Sequence, residues 1–142
     1  MLPPPLDWHS VNEQARRIAV LADDLIWSSR LVAAVERSGA EPSKAGTSEG
    51  LAALLAGDAK APVDGVVVDL NGRRYDGVEA VRLAAAAGRR VIAVGQHEDH
   101  ALRRRALAAG AGRVYSYNKL FRDGPAVMAG LAPSAAAPDP ED

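Results

Sequence analysis

The sequence predicts a three-layer α/β domain: one five-stranded parallel sheet with helices packed on both faces. Three observations carry this expectation. Short apolar runs alternate five times with longer amphipathic stretches, the pattern of repeated strand–helix units. The strongest runs, Val66-Val67-Val68 and Val91-Ile92-Ala93-Val94, are continuously apolar, as strands covered on both faces require. Glycine or a helix-capping side chain stands at most junctions between runs.

Each element has its own reason. Arg17–Ala22 reads as a buried first strand. Over Ile26–Ser38, the residues Leu31, Val32, Ala34 and Val35 form a helical stripe, and Gly39 can end it. Glu41–Ala45 is a weak second strand. Thr47 can cap a short helix over Glu49–Leu55. Val63–Asp69 is the strongest strand. Asp76 can cap a helix that runs through Ala87 and stops at Gly88. Arg90–Val94 is a fourth strand, and Glu98–Ala109 a fourth helix with Gly110 just past it. Arg113–Tyr117 is expected as a fifth strand and Gly124–Leu131 as a short last helix.

The chain divides into an N-terminal arm over residues 1–15, a folded domain over 16–132 and a tail over 133–142. The arm opens with the proline-rich Met1–Pro5. The tail is alanine, proline and acid with no periodicity, a composition expected to be disordered. At 142 residues the chain suits one domain with a real core. Its 17 basic and 18 acidic residues give a net charge of -1, so no global field draws in nucleic acid or an anionic membrane. There is no cysteine, hence no disulfide framework and no thiol chemistry. The N-terminus lacks a basic flank and an apolar stretch of signal-peptide length, and no apolar run is long enough to span a bilayer. A cytoplasmic protein is the expectation. Aromatic residues are only 4%, which predicts an aliphatic core with closely packed helices.

The chemistry concentrates at two strand ends. Val66-Val67-Val68 runs into Asp69, followed by Leu70, Asn71 and Gly72. Ile18-Ala19-Val20-Leu21-Ala22 runs into Asp23-Asp24. If the two runs are neighbouring parallel strands, three carboxylates meet at one sheet edge. Crowded carboxylates repel, and persist where they bind a cation or do chemistry. The bland alternative makes Asp23 and Asp24 a capping pair for the helix that follows.

Three segments, taken in order, carry a resemblance to a family. They are Arg17–Asp24, Asp69–Gly77 with its seven-residue step from Asp69 to Asp76-Gly77, and Val91–Val94 followed by His97 and Arg103–Ala111. From Arg17 to Phe121 the chain resembles the receiver domain of bacterial two-component response regulators, a CheY-like, flavodoxin-like fold. That resemblance implies the strand order 2-1-3-4-5. It implies that Asp69 stands at the phosphoacceptor position and that Asp23 matches the main magnesium-binding acid. Asn71 matches the residue giving a backbone carbonyl to the metal. Asp24 enters the metal set only if the first strand is shifted by one residue; otherwise the second acid's place is Ala22. A magnesium ion (Mg2+) prefers oxygen ligands and often needs only one or two carboxylates plus water and phosphate oxygens.

The chain also departs from that pattern. The family's fourth strand ends in Ser or Thr, and here it ends in Gly95. Its fifth strand ends in Lys-Pro, and here the ungapped position is Tyr117. A two-residue insertion puts Lys119 there as the pocket cation, still without the proline. These changes weaken phosphate stabilisation and mark an atypical, pseudo-receiver pattern.

Other motifs in the chain have plainer readings. His97-Glu98-Asp99-His100 invites a metal reading, but a loop leading into an acid-capped helix explains the same residues. Asp7-Trp8-His9 resembles the start of a corrinoid-binding motif without the glycine that motif needs. Arg103–Arg105 could touch phosphate, but three consecutive arginines fan around a helix and favour a solvated face. No dinucleotide fingerprint follows the first strand, where Asp23-Asp24 would face a pyrophosphate. Trp8 and Trp27 stand out in an aromatic-poor chain. Tyr115 and Tyr117, alternating on the expected fifth strand, would share a face.

The resulting expectation is an atypical single-domain receiver in signal transduction, not an enzyme, acting by protein–protein interaction. The resemblance allows magnesium-dependent phosphorylation on Asp69 by a histidine kinase. It also allows a homodimer through the face of the fourth helix, fifth strand and fifth helix. The alternative is a flavodoxin-like ligand-binding protein or enzyme using the strand-end crevice; a structural subunit with a residual acid cluster is a third reading.

Overall fold

The computed structural model describes residues 16–57 and 62–131. The expectations for the arm, for Trp8 and Asp7-Trp8-His9, and for the acidic tail lie outside them. Five strands, β1 (Arg17–Leu21), β2 (Glu41–Ala45), β3 (Gly65–Asp69), β4 (Arg90–Gly95) and β5 (Arg113–Ser116), form one sheet in the order β2-β1-β3-β4-β5. Every neighbouring pair is parallel. Between and after them run α1 (Leu25–Arg37), α2 (Ser48–Ala56), α3 (Gly77–Ala86), α4 (His100–Ala109) and α5 (Tyr117–Met128), closed by a 3₁₀ turn over Ala129–Leu131. This is the doubly wound, flavodoxin-like order. No described helix is long and apolar enough to cross a membrane.

The continuous apolar runs are explained by a core on each face of the sheet. Ala19, Leu21, Val66, Val68, Val91, Ala93 and Val114 point to the layer holding α2, α3 and α4. Their neighbours Ile18, Val20, Val67, Ile92, Val94 and Tyr115 point to α1 and α5. Val66, Val67 and Val68 are all 0% exposed, and each such side chain contributes roughly 1.5–3 kcal/mol by leaving water. The weak strand β2 is an edge strand. Pro42 and the exposed Lys44 there discourage further strand pairing.

Helix starts follow the capping residues. Asp24, Thr47, Asp76 and Asp99 each accept a backbone N–H three residues on, at 2.9–3.1 Å. Gly39, Gly57, Gly88 and Gly110, which end α1 to α4, have positive φ.

The last strand and helix differ from expectation. β5 stops at Ser116 and α5 begins at Tyr117, seven residues earlier than predicted. The alternation Tyr115-Ser116-Tyr117 imitates a strand. Ser116 instead caps the helix, its Oγ accepting the Lys119 N–H at 3.1 Å. Tyr115 and Tyr117 are therefore not on one strand. The expected helix over Gly124–Leu131 is the part of α5 beyond a kink at Asp123 (φ −150°, ψ 57°) plus the 3₁₀ turn. Pro125 has no N–H to donate to the Phe121 carbonyl, so the helix breaks there. Beyond the kink Gly124 packs on α1, where a Cβ would lie 3.0 Å from the Ala34 methyl.

Candidate acid pocket at the strand ends

Asp69 closes β3 and is 2% exposed, the only buried charged residue among those described. Its Oδ1 accepts the Asn71 N–H at 3.1 Å. The same oxygen accepts a hydrogen bond from the Tyr117 hydroxyl, which also lies 3.1 Å from Asn71 Oδ1. The Gln96 N–H donates to that amide oxygen at 3.3 Å. Tyr117 comes from beyond β5, and β4 lies between β5 and β3. Its phenol therefore reaches past the end of β4, where Gly95 stands. A Cβ at Gly95 would lie 3.3 Å from Asn71 Oδ1. The missing side chain leaves room for the amide that the tyrosine meets.

The phenol is braced from α1. The rings of Trp27 and Tyr117 stack with centroids 4.1 Å apart and planes at 21°. The Arg30 guanidinium lies 5.2 Å from the Trp27 ring and 4.7 Å from the Phe121 ring. A column of aromatic and cation–π contacts thus ties α1 to α5 beside the pocket.

A second tyrosine supports the site from inside. The buried Tyr75 hydroxyl lies 2.7 Å from the Asp69 carbonyl oxygen and 3.2 Å from that of Leu21, bridging the ends of β3 and β1. Two glycines make this loop possible. A Cβ on Gly72 would fall 2.1 Å from the Tyr75 ring. A Cβ on Gly77 would sit 2.9 Å from the Leu70 backbone. The step from Asp69 to Asp76-Gly77 is therefore set by packing of the α3 start against the β3 end.

Asp23 and Asp24 separate in role. Asp23 Oδ2 accepts the N–H groups of Arg73 and Arg74 at 2.8 and 2.6 Å, clasping the β3–α3 loop to the end of β1. Asp24, exposed, caps α1 through Trp27 N–H. Burial pushes the Asp69 carboxyl above the usual aspartate range, and the charges of Asp23 and Asp24 push the same way. The Tyr117 hydroxyl and the Asn71 N–H pull against them. Burial also pushes both phenols, Tyr75 and Tyr117, well up, so each stays a neutral donor.

Lys119 requires a correction. Because α5 starts at Tyr117, Lys119 lies in its first turn, with its ammonium 3.9 Å from the Asp123 carboxylate. The side chain that reaches Asp69 is Tyr117, at the ungapped position. Sequence reasoning passed over Tyr75 and treated Tyr117 as a strand residue. The ungapped count from the fifth strand points to Tyr117. The donors are all hard oxygens, which suits a magnesium ion. Among the described residues no three His, Asp or Glu side chains converge as a metal cage. Asp23 lies near enough for its charge to act on Asp69, and two carboxylates are a number magnesium accepts.

Against this geometry the comparisons decide the fold. A response regulator from Burkholderia pseudomallei, with a phosphorylated aspartic acid, calcium ion and citrate, aligns at TM-score 0.66 and 18% identity over 83% of this chain and 67% of its own. A phosphorylated cyanobacterial phytochrome response regulator aligns at TM-score 0.73 and 14% identity, over 88% and 99%. A CheY-like receiver domain from Methanospirillum hungatei gives 0.61 and 20%, over 82% and 96%.

The fold is that of a response-regulator receiver domain.

A manganese-bound response regulator shares this receiver fold at TM-score 0.70 and 12% identity, over 87% of this chain and 99% of its own. No family model matches the sequence, and no curated protein matches it. In this chain the three strands that converge on the pocket are β3, β4 and β5. Their ends hold Asp69, Gly95 and, just past β5, Tyr117.

Proposed function

We propose that the protein is an atypical receiver that signals by contact with a partner protein, and that its acid pocket rests in a state latched by Tyr117. The carrying observation is the Tyr117 hydroxyl on Asp69 Oδ1, in place of an ammonium. A lysine there would bring a positive charge to a transferring phosphoryl group. A phenol brings one neutral hydrogen bond, worth roughly half as much as a charged one. Asp23, Asp69 and the Asn71 carbonyl are the residues that would hold a magnesium ion, with Asp24 committed to its cap. The ion's charge would offset the carboxylate repulsion and the charge of an incoming phosphoryl group. Asp69 is the oxygen nucleophile on this reading, and a histidine kinase the donor class. For Oδ1 to react or to ligate, the Tyr117 hydroxyl must leave it.

The test is an NMR titration with magnesium and then beryllofluoride, on the wild-type chain and on Tyr117→Lys. Magnesium should shift the amides around Asp23, Asp69 and Asn71 in both. Beryllofluoride should add a strong second set of shifts only in Tyr117→Lys. Absence of magnesium shifts at roughly 10 mM in both proteins would sink the acid-pocket reading. Equal beryllofluoride responses would sink the latch.

A further inference from the structure

A second feature lies on the far side of the segment that carries Tyr117. A half-open cavity of about 490 Å³ is lined by His97, His100, Arg103, Ser116, Asn118, Lys119 and Arg122, of which His97, His100, Asn118 and Arg122 are exposed. The lining comes from the β4–α4 loop, from α4, and from the β5–α5 junction and first turns of α5. Two arginines, a lysine and two imidazoles converge there, and no lining residue is acidic. The whole chain carries a charge of only -1, so this is a local concentration of positive charge. Asp99 turns back to cap α4, and Asp123 meets Lys119 at 3.9 Å, offsetting part of one charge.

We propose that this cavity binds a small phosphate-bearing anion, of nucleotide or sugar-phosphate size and with two or more phosphate charges. The volume lies within the range of small-molecule sites, about 300–1,000 Å³. Arginine forks and a lysine suit phosphate oxygens, and Ser116, Asn118 and the imidazoles add directional donors. Cations drawn from two helices that face each other across a concavity suit a compact polyanion. An extended acidic peptide needs a stripe, not a cavity. Lys119, His97, His100 and Arg103 thus share one site that neither the acid pocket nor the core accounts for. The cavity also adjoins the latch, since its residues Ser116 and Asn118 flank Tyr117 in the chain.

The experiment uses the full chain in EDTA, so that the magnesium pocket plays no part. Calorimetry and NMR titrations use pyrophosphate and ATP as probes. Wild type is compared with Lys119→Glu/Arg122→Glu and with Lys44→Glu, a charge reversal at the opposite edge of the sheet. The proposal expects saturable binding, with shifts centred on His97, His100 and Asn118. It expects affinity at least about tenfold weaker in the double variant and unchanged in Lys44→Glu. Melting curves establish that each variant is folded; if the double variant is not, Arg122→Gln alone must still weaken binding. Equal affinity in wild type and a folded cavity variant overturns the proposal. So does no saturation with either probe by roughly 10 mM, and so does binding of a poly-glutamate peptide with neither phosphate probe bound.

Discussion

Asp69 carries its carboxylate at a place almost closed to water, and each neighbour acts on its charge with a known sign. Burial, Asp23 and Asp24 raise its affinity for a proton; the Tyr117 hydroxyl and the Asn71 N–H lower it. Tyr117→Phe removes one of the two lowering groups while keeping the ring that stacks on Trp27. The Asp69 carboxyl should then titrate at a higher pH than in wild type, read from its side-chain ¹³C resonance. An unchanged midpoint would mean that the Tyr117 hydroxyl does not hold that oxygen in solution. Tyr75 works differently, bonding backbone carbonyls rather than the carboxylate. Tyr75→Phe should therefore cost stability, about 0.5–1.5 kcal/mol for the hydrogen bonding lost, and move the Asp69 midpoint little.

At the scale of elements, the pocket depends on how closely the α3 start approaches the β3 end. A Cβ at Gly77 would meet Leu70 backbone atoms at 2.9 Å, and backbone cannot swing aside as a side chain can. Gly77→Ala should destabilise by about 1–3 kcal/mol and shift the amide resonances of the loop from Leu70 to Asp76. Gly39→Ala is the useful contrast: its φ of +92° is strained for alanine, but no atom lies within 4 Å of the new methyl. It should cost less, about 1–2 kcal/mol, and leave the loop resonances in place. Urea unfolding ranks the two, and the reverse order would refute the close-approach argument. The Asp-Gly step was legible in the sequence, but its reason was not, because the clash lies between residues that meet only when α3 folds back. The α5 start was misread because alternating tyrosines look like a strand unless the Ser116 cap is recognised.

For the molecule as a whole, the buried charge is a stability cost set by pH. The Asp69 carboxyl titrates above its unfolded value of about 3.8. Between the two values the folded protein binds more protons than the unfolded chain, so stability falls as pH rises through that window. Above it the penalty is constant. Asp69→Asn keeps an oxygen for Tyr117 and Asn71 and removes the charge. It should raise the melting temperature at pH 7 by a few degrees, with the advantage vanishing below the unfolded value. Magnesium should stabilise wild type by mass action and Asp69→Asn far less. A variant that melts no higher at pH 7, or gains as much from magnesium as wild type, would contradict this account.

By itself the sequence determined the five-fold strand–helix alternation, the two-sided burial of the valine runs, most helix caps and the placing of Asp23 and Asp69 at the ends of neighbouring strands. These follow from local patterning and from parallel strands ending on one edge. Only the tertiary structure decided which side chain reaches Asp69, that Lys119 turns to the outer cavity, and that Asp23 clasps the neighbouring loop while Asp24 caps a helix. Those outcomes depend on where α5 begins and how it packs on α1. One residue's shift at a strand end rotates every following side chain to a new face, and local pattern cannot see that far.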